Sequence, residues 1–242
     1  MNWRPHSAMI LGAGLGSRMR PLTDHVPKPM VPFNGSPLID HILDRMAKSG
    51  IEEVVVNVHY LADVLEDHLV ARDGRPKVLI SDERDELLDT GGGINRARPM
   101  LGREAFLIHN SDSLSHEPDG PNLDILFDGW RDDDMDTLLL LAPTGESLGY
   151  DGTGDFEIDD KGRISRPEAR SEPIAAPYVF TGLSIAHPRL FKNAPSGGAF
   201  SLNRLWTEAI DEGRAFGVIH QGLWMHIGTP EALNEAEDAT RP

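Results

Sequence analysis

The apolar positions of this chain follow two periods. Residues 8–11 and Glu53–Val58 are short, almost unbroken apolar runs, the second rich in β-branched side chains, as strands buried on both faces require. Between them, over residues 37–49, Leu38, Ile39, Ile42, Leu43 and Met46 recur at helical spacing, and Gly50 stands where a helix would end. Leu61, Val64, Leu65 and Leu69 repeat the helical period, and residues 78–80 return to a strand. The order strand, helix, strand, helix, strand predicts an α/β fold with a doubly wound, mostly parallel central sheet.

Further strands are predicted at Phe106–Asn110, 137–142 and 178–185. Leu202, Leu205, Trp206, Ala209 and Ile210 form the inner stripe of a helix that Gly213 ends, which assigns Trp206 to the core. Residues 223–230 lead into a closing helix, with Thr229 as N-cap and Pro230 in its first turn. Alternation around Asp159, Asp160, Lys161 and Gly162 predicts a small β-hairpin laid over the functional site, and residues 166–177 read as a polar, proline-rich mobile loop. The acidic run 132–136 reads as a solvated face. Without repeat, linker or low-complexity segment, residues 1–242 are expected to form a single domain.

Composition narrows the functional classes. The chain has 242 residues, no cysteine, and a formal net charge of −16. Thiolate nucleophiles, disulfides and cysteine zinc sites are therefore excluded. The acidic balance argues against nucleic acid as a partner. No apolar run reaches the roughly 20 residues that cross a bilayer, and residues 1–6 lack a signal-peptide core, so the expectation is a cytoplasmic protein with no membrane partner. An anionic ligand would need a local cationic pocket inside this acidic shell.

Such a pocket is encoded directly after the first strand. Gly12, Gly14 and Gly16 let the backbone bend tightly and aim its N–H groups at an anion. The dinucleotide fingerprint wants glycine where Ser17 stands, and the Walker pattern wants Gly-Lys-Ser/Thr where the chain has Gly16-Ser17-Arg18. Pro21, Pro27, Pro29 and Pro32 exclude a long helix after the loop. The loop instead continues as an extended arm carrying Arg18, Arg20 and Lys28; for Arg20, a solvated and a functional role stay open.

Gly14-Leu15-Gly16-Ser17-Arg18 with Pro27-Lys28-Pro29 resembles the signature of the sugar-phosphate nucleotidyltransferases. Glu86-Leu87-Leu88-Asp89-Thr90-Gly91-Gly92-Gly93 is similar to the form found in the bacterial N-acetylmuramate-1-phosphate uridylyltransferases, as is Gly152-Thr153-Gly154-Asp155-Phe156. The resemblance covers nearly the whole chain. It implies a Rossmann-like nucleotidyltransferase fold and a reaction in which a sugar 1-phosphate attacks the α-phosphorus of a nucleoside triphosphate, UTP in that branch, and releases pyrophosphate. Arg18 and Lys28 would be catalytic. Leu11, Gly12, Ala13, Gly14, Gly16 and Asn110 would hold the nucleotide, with the base against Glu86, Thr90, Gly91 and Gly92. Gly154, Asp155, Phe180, Thr181 and Gly182 would line the sugar.

Read from composition alone, the three consecutive glycines Gly91, Gly92 and Gly93 suit no element interior and mark a close backbone approach. Asp112, beyond the carboxyl end of a strand, falls where ligands of such sheets bind. The resemblance makes it the ligand of magnesium, in Asn110-Ser111-Asp112. The chain departs from the family at His226, where a second metal-binding aspartate is expected. Imidazole suits manganese better than magnesium, so His226 is either a ligand of a manganese-preferring site or a hydrogen-bonding residue that never touches metal. The nearest rivals to uridylyl transfer are a mannose-1-phosphate guanylyltransferase or another sugar-1-phosphate pyrophosphorylase, and a catalytically weakened nucleotide-sugar-binding regulatory protein. A monomer or small homo-oligomer is expected.

Overall fold

The computed structural model describes residues 3–117, 122–167 and 175–241. Seven strands form the main sheet: β1 Ser7–Leu11, β2 Glu53–Val58, β3 Lys77–Asp82, β4 Phe106–Asn110, β5 Thr137–Pro143, β6 Tyr178–Ala186 and β7 Ala215–Ile219. Their order across the sheet is β7-β5-β6-β4-β1-β2-β3, and every neighbouring pair is parallel except those made by β6. The apolar runs are continuous because both faces are covered. Ala8, Ile10, Val54 and Val56 face one core layer, whereas Met9, Val55 and Ile108 face the other.

Helices close both faces. The first layer includes apolar residues of α1 Leu38–Lys48, α2 Ala62–Ala71, α4 Asn122–Gly129 and α6 Pro230–Ala239; the second takes those of α3 Asp89–Leu101 and α5 Leu202–Asp211. Each predicted cap is present in its expected chemistry. Thr229 Oγ1 accepts from the N–H of Ala232, and Gly50 and Gly213 adopt φ of 85° and 67° just past α1 and α5. Among the described residues no helix is long and apolar enough to cross a membrane.

The sheet is built outward from β1 in two directions, to β2 and β3 on one side and to β4 on the other. At such a switch point the loops leaving neighbouring strands diverge and open a crevice beyond their carboxyl ends. The glycine loop leaves β1 there, and residues 111 and 112 leave β4.

Four readings of the sequence need correction. Gly91, Gly92 and Gly93 lie inside α3, not in a loop. A Cβ would fall 2.5 Å from the Phe200 ring at Gly91, 2.7 Å from Gly198 O at Gly92 and 2.7 Å from Glu83 Oε1 at Gly93. The close approach is therefore real, and its partners are protein atoms. Asp136, read as solvated, is buried and accepts from Arg189 Nε at 3.2 Å and Arg214 Nε at 2.7 Å, tying the start of β5 to two neighbouring segments. The hairpin of Glu157–Ile158 and Ile164–Ser165 flanks β7, where Gly217 N–H donates to Gly162 O; it satisfies the sheet edge and buries Ile164 instead of covering the crevice. Val64, expected on the buried stripe of α2, is exposed, because the stripe runs through Ala62, Leu65 and Leu69. The sequence pattern does not announce strand β7, helix α4 or the ribbon of Ser113–His116 with Leu223–His226. Of the loop expected at 166–177, residues 168–174 lie outside the described residues.

Candidate active site

A cavity of about 440 Å³ occupies the crevice. The loop after β1 forms its floor. Gly12 N–H donates to Asn57 Oδ1 at 2.7 Å, and a Cβ on Gly12 would sit 2.9 Å from Asn57 O, so only glycine allows β1 to turn this tightly against β2. Gly16 has φ of 63°, and its carbonyl accepts from Thr23 Oγ1 at 2.8 Å. Two short 3₁₀ turns, Ser17–Met19 and Lys28–Met30, then carry the arm across the cavity, as the prolines require.

The arm delivers two different cations. Arg18 is exposed at the cavity wall, and Lys28 is 9% exposed with its Nζ 2.7 Å from Asp112 Oδ2. Burial opposes ionisation of Asp112, but Lys28, with the His226 ring and Arg18, outweighs it and holds this carboxyl below the usual carboxylate range. His226 stands at the end of Leu223–His226. An added Cβ on Gly228 would meet its Nε2 at 2.7 Å and an Arg18 guanidinium nitrogen at 3.5 Å, so ring and guanidinium flank the same backbone. Burial pushes the His226 imidazole below its ordinary pKa, partly offset by Asp112.

Most of the residues picked out by sequence meet here. Leu11, Gly12, Ala13, Gly14, Gly16, Arg18, Lys28, Thr90, Asn110 and Asp112 line the one cavity. Glu86, Gly91 and Gly92 are not among its lining residues. Glu86 is exposed, and the N–H groups of Gly91 and Gly92 donate to Phe200 O at 2.9 and 3.0 Å, which takes them from any ligand.

The sugar-side set is also divided. Phe180 lines a second cavity of about 170 Å³ beside the first, sharing Leu11, Asp89, Thr90 and Asn110 with it. Gly154, Asp155, Thr181 and Gly182 act behind that wall. Asp155 Oδ2 accepts from Phe180 N–H at 2.9 Å, Thr181 Oγ1 donates to Leu140 O, Gly154 N–H donates to the Tyr150 hydroxyl, and Gly182 packs on Ser113.

Sequence reasoning passed over Asn57 and Glu83. Both line the cavity, and Asn57 Nδ2 donates to Glu83 Oε1 at 2.8 Å while its Oδ1 holds Gly12. Burial raises the Glu83 carboxyl above its ordinary pKa against the pull of the hydrogen bonds it accepts from Asn57 and from the Leu88 N–H. The signal available was one polar residue, Asn57, inside the run Glu53–Val58.

Among the described residues no group of three or more His, Asp or Glu side chains is placed to hold a metal. A lone carboxylate beside a lysine does not make a cage for a free cation. It does suit a hard cation that arrives with most of its oxygens on bound phosphates, since magnesium is held by one or two carboxylates plus substrate oxygens and water. Asp112 fits that role.

The family described as nucleotidyl transferase matches residues 7–241. The N-acetylmuramate alpha-1-phosphate uridylyltransferase of Caulobacter vibrioides is 43% identical over 240 residues, covering 98% of this chain and 98% of that protein. The protein of the same name from Neisseria meningitidis is 33% identical, over 95% of this chain and 96% of its own. In fold, the chain is similar to UDP-glucose pyrophosphorylase complexed with UDP-glucose, with a TM-score of 0.79 at 17% identity over 96% and 97% of the two chains.

Proposed function

The chain belongs to the nucleotidyl transferase family, and on that premise we propose that it joins UTP to N-acetylmuramate 1-phosphate, giving a UDP-sugar and pyrophosphate. The observation that carries this reading is the order of groups along the sheet. Glu83 comes just after β3, Asn57 lies on β2, the glycine loop leaves β1, Asp112 stands just past β4, and Phe180 lies on β6. Neighbouring strands lie about 4.8 Å apart, so these four steps span roughly 19 Å. Base, phosphates and sugar are laid out in that sequence.

At the β3 end, Leu87 offers an apolar contact to a base, and the buried Glu83 carboxyl offers hydrogen-bond acceptors to an imide N–H. At the centre, a phosphate oxygen of the sugar 1-phosphate forms a bond to the α-phosphorus while the bond from that phosphorus to the β-phosphate oxygen breaks. Both reactants are anions, so the protein must neutralise and align them. Lys28, held by Asp112, sits where the α-phosphate and the incoming oxygen converge; Arg18, on the outer side of the arm and open to solvent, grips the departing pyrophosphate. The attacking phosphate is already ionised, and no general base is needed. Magnesium on Asp112, with manganese as a substitute, would withdraw charge developing on the phosphates.

UTP labelled with phosphorus-32 at the α position tests the assignment. Label is expected in the nucleotide sugar, and label placed at the γ position in pyrophosphate. Release of α-label as UMP without a sugar conjugate would refute the transfer.

A further inference from the structure

The smaller cavity has chemistry of its own. Ile108, Phe180, Leu202 and Trp206 give it an apolar floor, with the Phe180 and Trp206 rings edge to face at 4.8 Å, while Ser201 and Asn203 form a polar rim at the start of α5. Its position is fixed by bonds across the cleft. Leu202 N–H donates to Thr90 Oγ1 at 2.9 Å, and Phe200 O accepts from Gly91 and Gly92, so the start of α5 is strapped to the start of α3. Thr90 belongs to both cavities, which makes the smaller one a rigid annex of the cleft.

A cation, not itself among the lining residues, is bonded to the rim of this annex through Asn203. Arg166 Nη2 donates to Asn203 Oδ1 at 2.8 Å, and its guanidinium lies 4.9 Å over the Phe156 ring. Stacking on an aromatic face and a neutral amide fix the plane of the guanidinium without cancelling its charge. On the cleft side the annex is walled by Asp89, which would repel an acid. A chain of net charge −16 that accepts a further anionic group here needs a local cation, and Arg166 is placed to supply it.

Building on the proposed transfer to an N-acetylmuramate 1-phosphate, we propose that the annex receives the acidic ether substituent of the acceptor sugar. Its apolar carbons lie on Phe180 and Leu202, and its carboxylate pairs with Arg166. Asn203 is the positioning residue that aims the guanidinium. Arg166 thus sets acceptor choice, a role separate from the phosphate chemistry of Lys28 and Arg18.

The test compares kcat/KM for N-acetylmuramate 1-phosphate and N-acetylglucosamine 1-phosphate, which lacks the acidic ether, in the unaltered protein and in Arg166→Met and Arg166→Lys. Losing a charge-assisted contact should lower the ratio of the two values about tenfold or more in Arg166→Met, through KM for the muramate, with Arg166→Lys recovering part of it. Asn203→Ala should shift the ratio the same way by less. An unchanged ratio in Arg166→Met, or an equal fall for both acceptors, overturns the assignment while leaving the transfer reaction standing. If the unaltered protein uses neither acceptor, the proposed transfer itself is wrong, and the annex assignment falls with it.

Discussion

Lys28 keeps the buried Asp112 carboxyl charged against the cost of burial, and Arg18 stands nearby in solvent. That contrast separates their variants. Arg18→Ala removes an exposed cation, so turnover should fall by about 10²–10³ with the melting temperature unchanged. Lys28→Met should lower turnover at least as far, and it also leaves Asp112 buried without its nearest cation, so a modest loss of melting temperature should accompany it. Full pyrophosphate release in both variants would contradict their assignment. His226 is tested by conversion to the carboxylate. His226→Asp is expected to tighten magnesium binding in the presence of nucleotide and to shrink any manganese advantage; an unchanged metal preference would make His226 a phosphate or Asp112 contact only. These groups were legible in the sequence because each sits in a local motif with its own spacing. Asn57 and Glu83 were not, because Asn57 is one polar position hidden among the valines of β2 and Glu83 stands just past the end of β3, and only the fold brings them to the glycine loop.

The elements themselves could be read wherever periodicity and caps agreed, as for α1, α5 and α6. Helix α3 could not, since glycine is disfavoured in helices by about 1 kcal/mol relative to alanine, and a triplet of them argues against a helix on propensity. Tertiary contact overrides that preference here. The helix start must lie against Phe200, Gly198 and Glu83 to bring Asp89 and Thr90 to the cleft, and a side chain at any of the three positions would hold it away. Gly91→Ala, a good change for an isolated helix, should therefore destabilise the protein by about 2 kcal/mol through overpacking. Replacing Phe200 by Ala in that background should recover part of the loss, seen as non-additivity in chemical unfolding. Strictly additive effects would mean that the ring is not what forbids the methyl group.

At the scale of the whole molecule, the fold class emerged from the alternation of strands and helices, but the antiparallel β6 and the edge strand β7 depend on pairings that no local pattern announces. The same packing leaves a signature in pH. Burial lowers His109 and His220 to about 4, and His187 and His226 shift in the same direction. Below about pH 6.5 the unfolded chain takes up protons that the folded chain refuses until about pH 4, so stability is full above the first value and drains away toward the second. Each fully refused proton contributes a slope on the order of 1 kcal/mol per pH unit. His220→Gln should flatten the fall in melting temperature between pH 6.5 and 5, and an unaltered slope would place the effect elsewhere. The cleft and the order of groups along its sheet carry one proposed reaction, which a pyrophosphate-release assay measures directly across UTP, GTP, ATP and CTP, each with N-acetylmuramate, mannose and glucose 1-phosphates and with magnesium or manganese. The highest kcat/KM should come from UTP with N-acetylmuramate 1-phosphate. Faster release with GTP on every acceptor, or none with any pair, would contradict it.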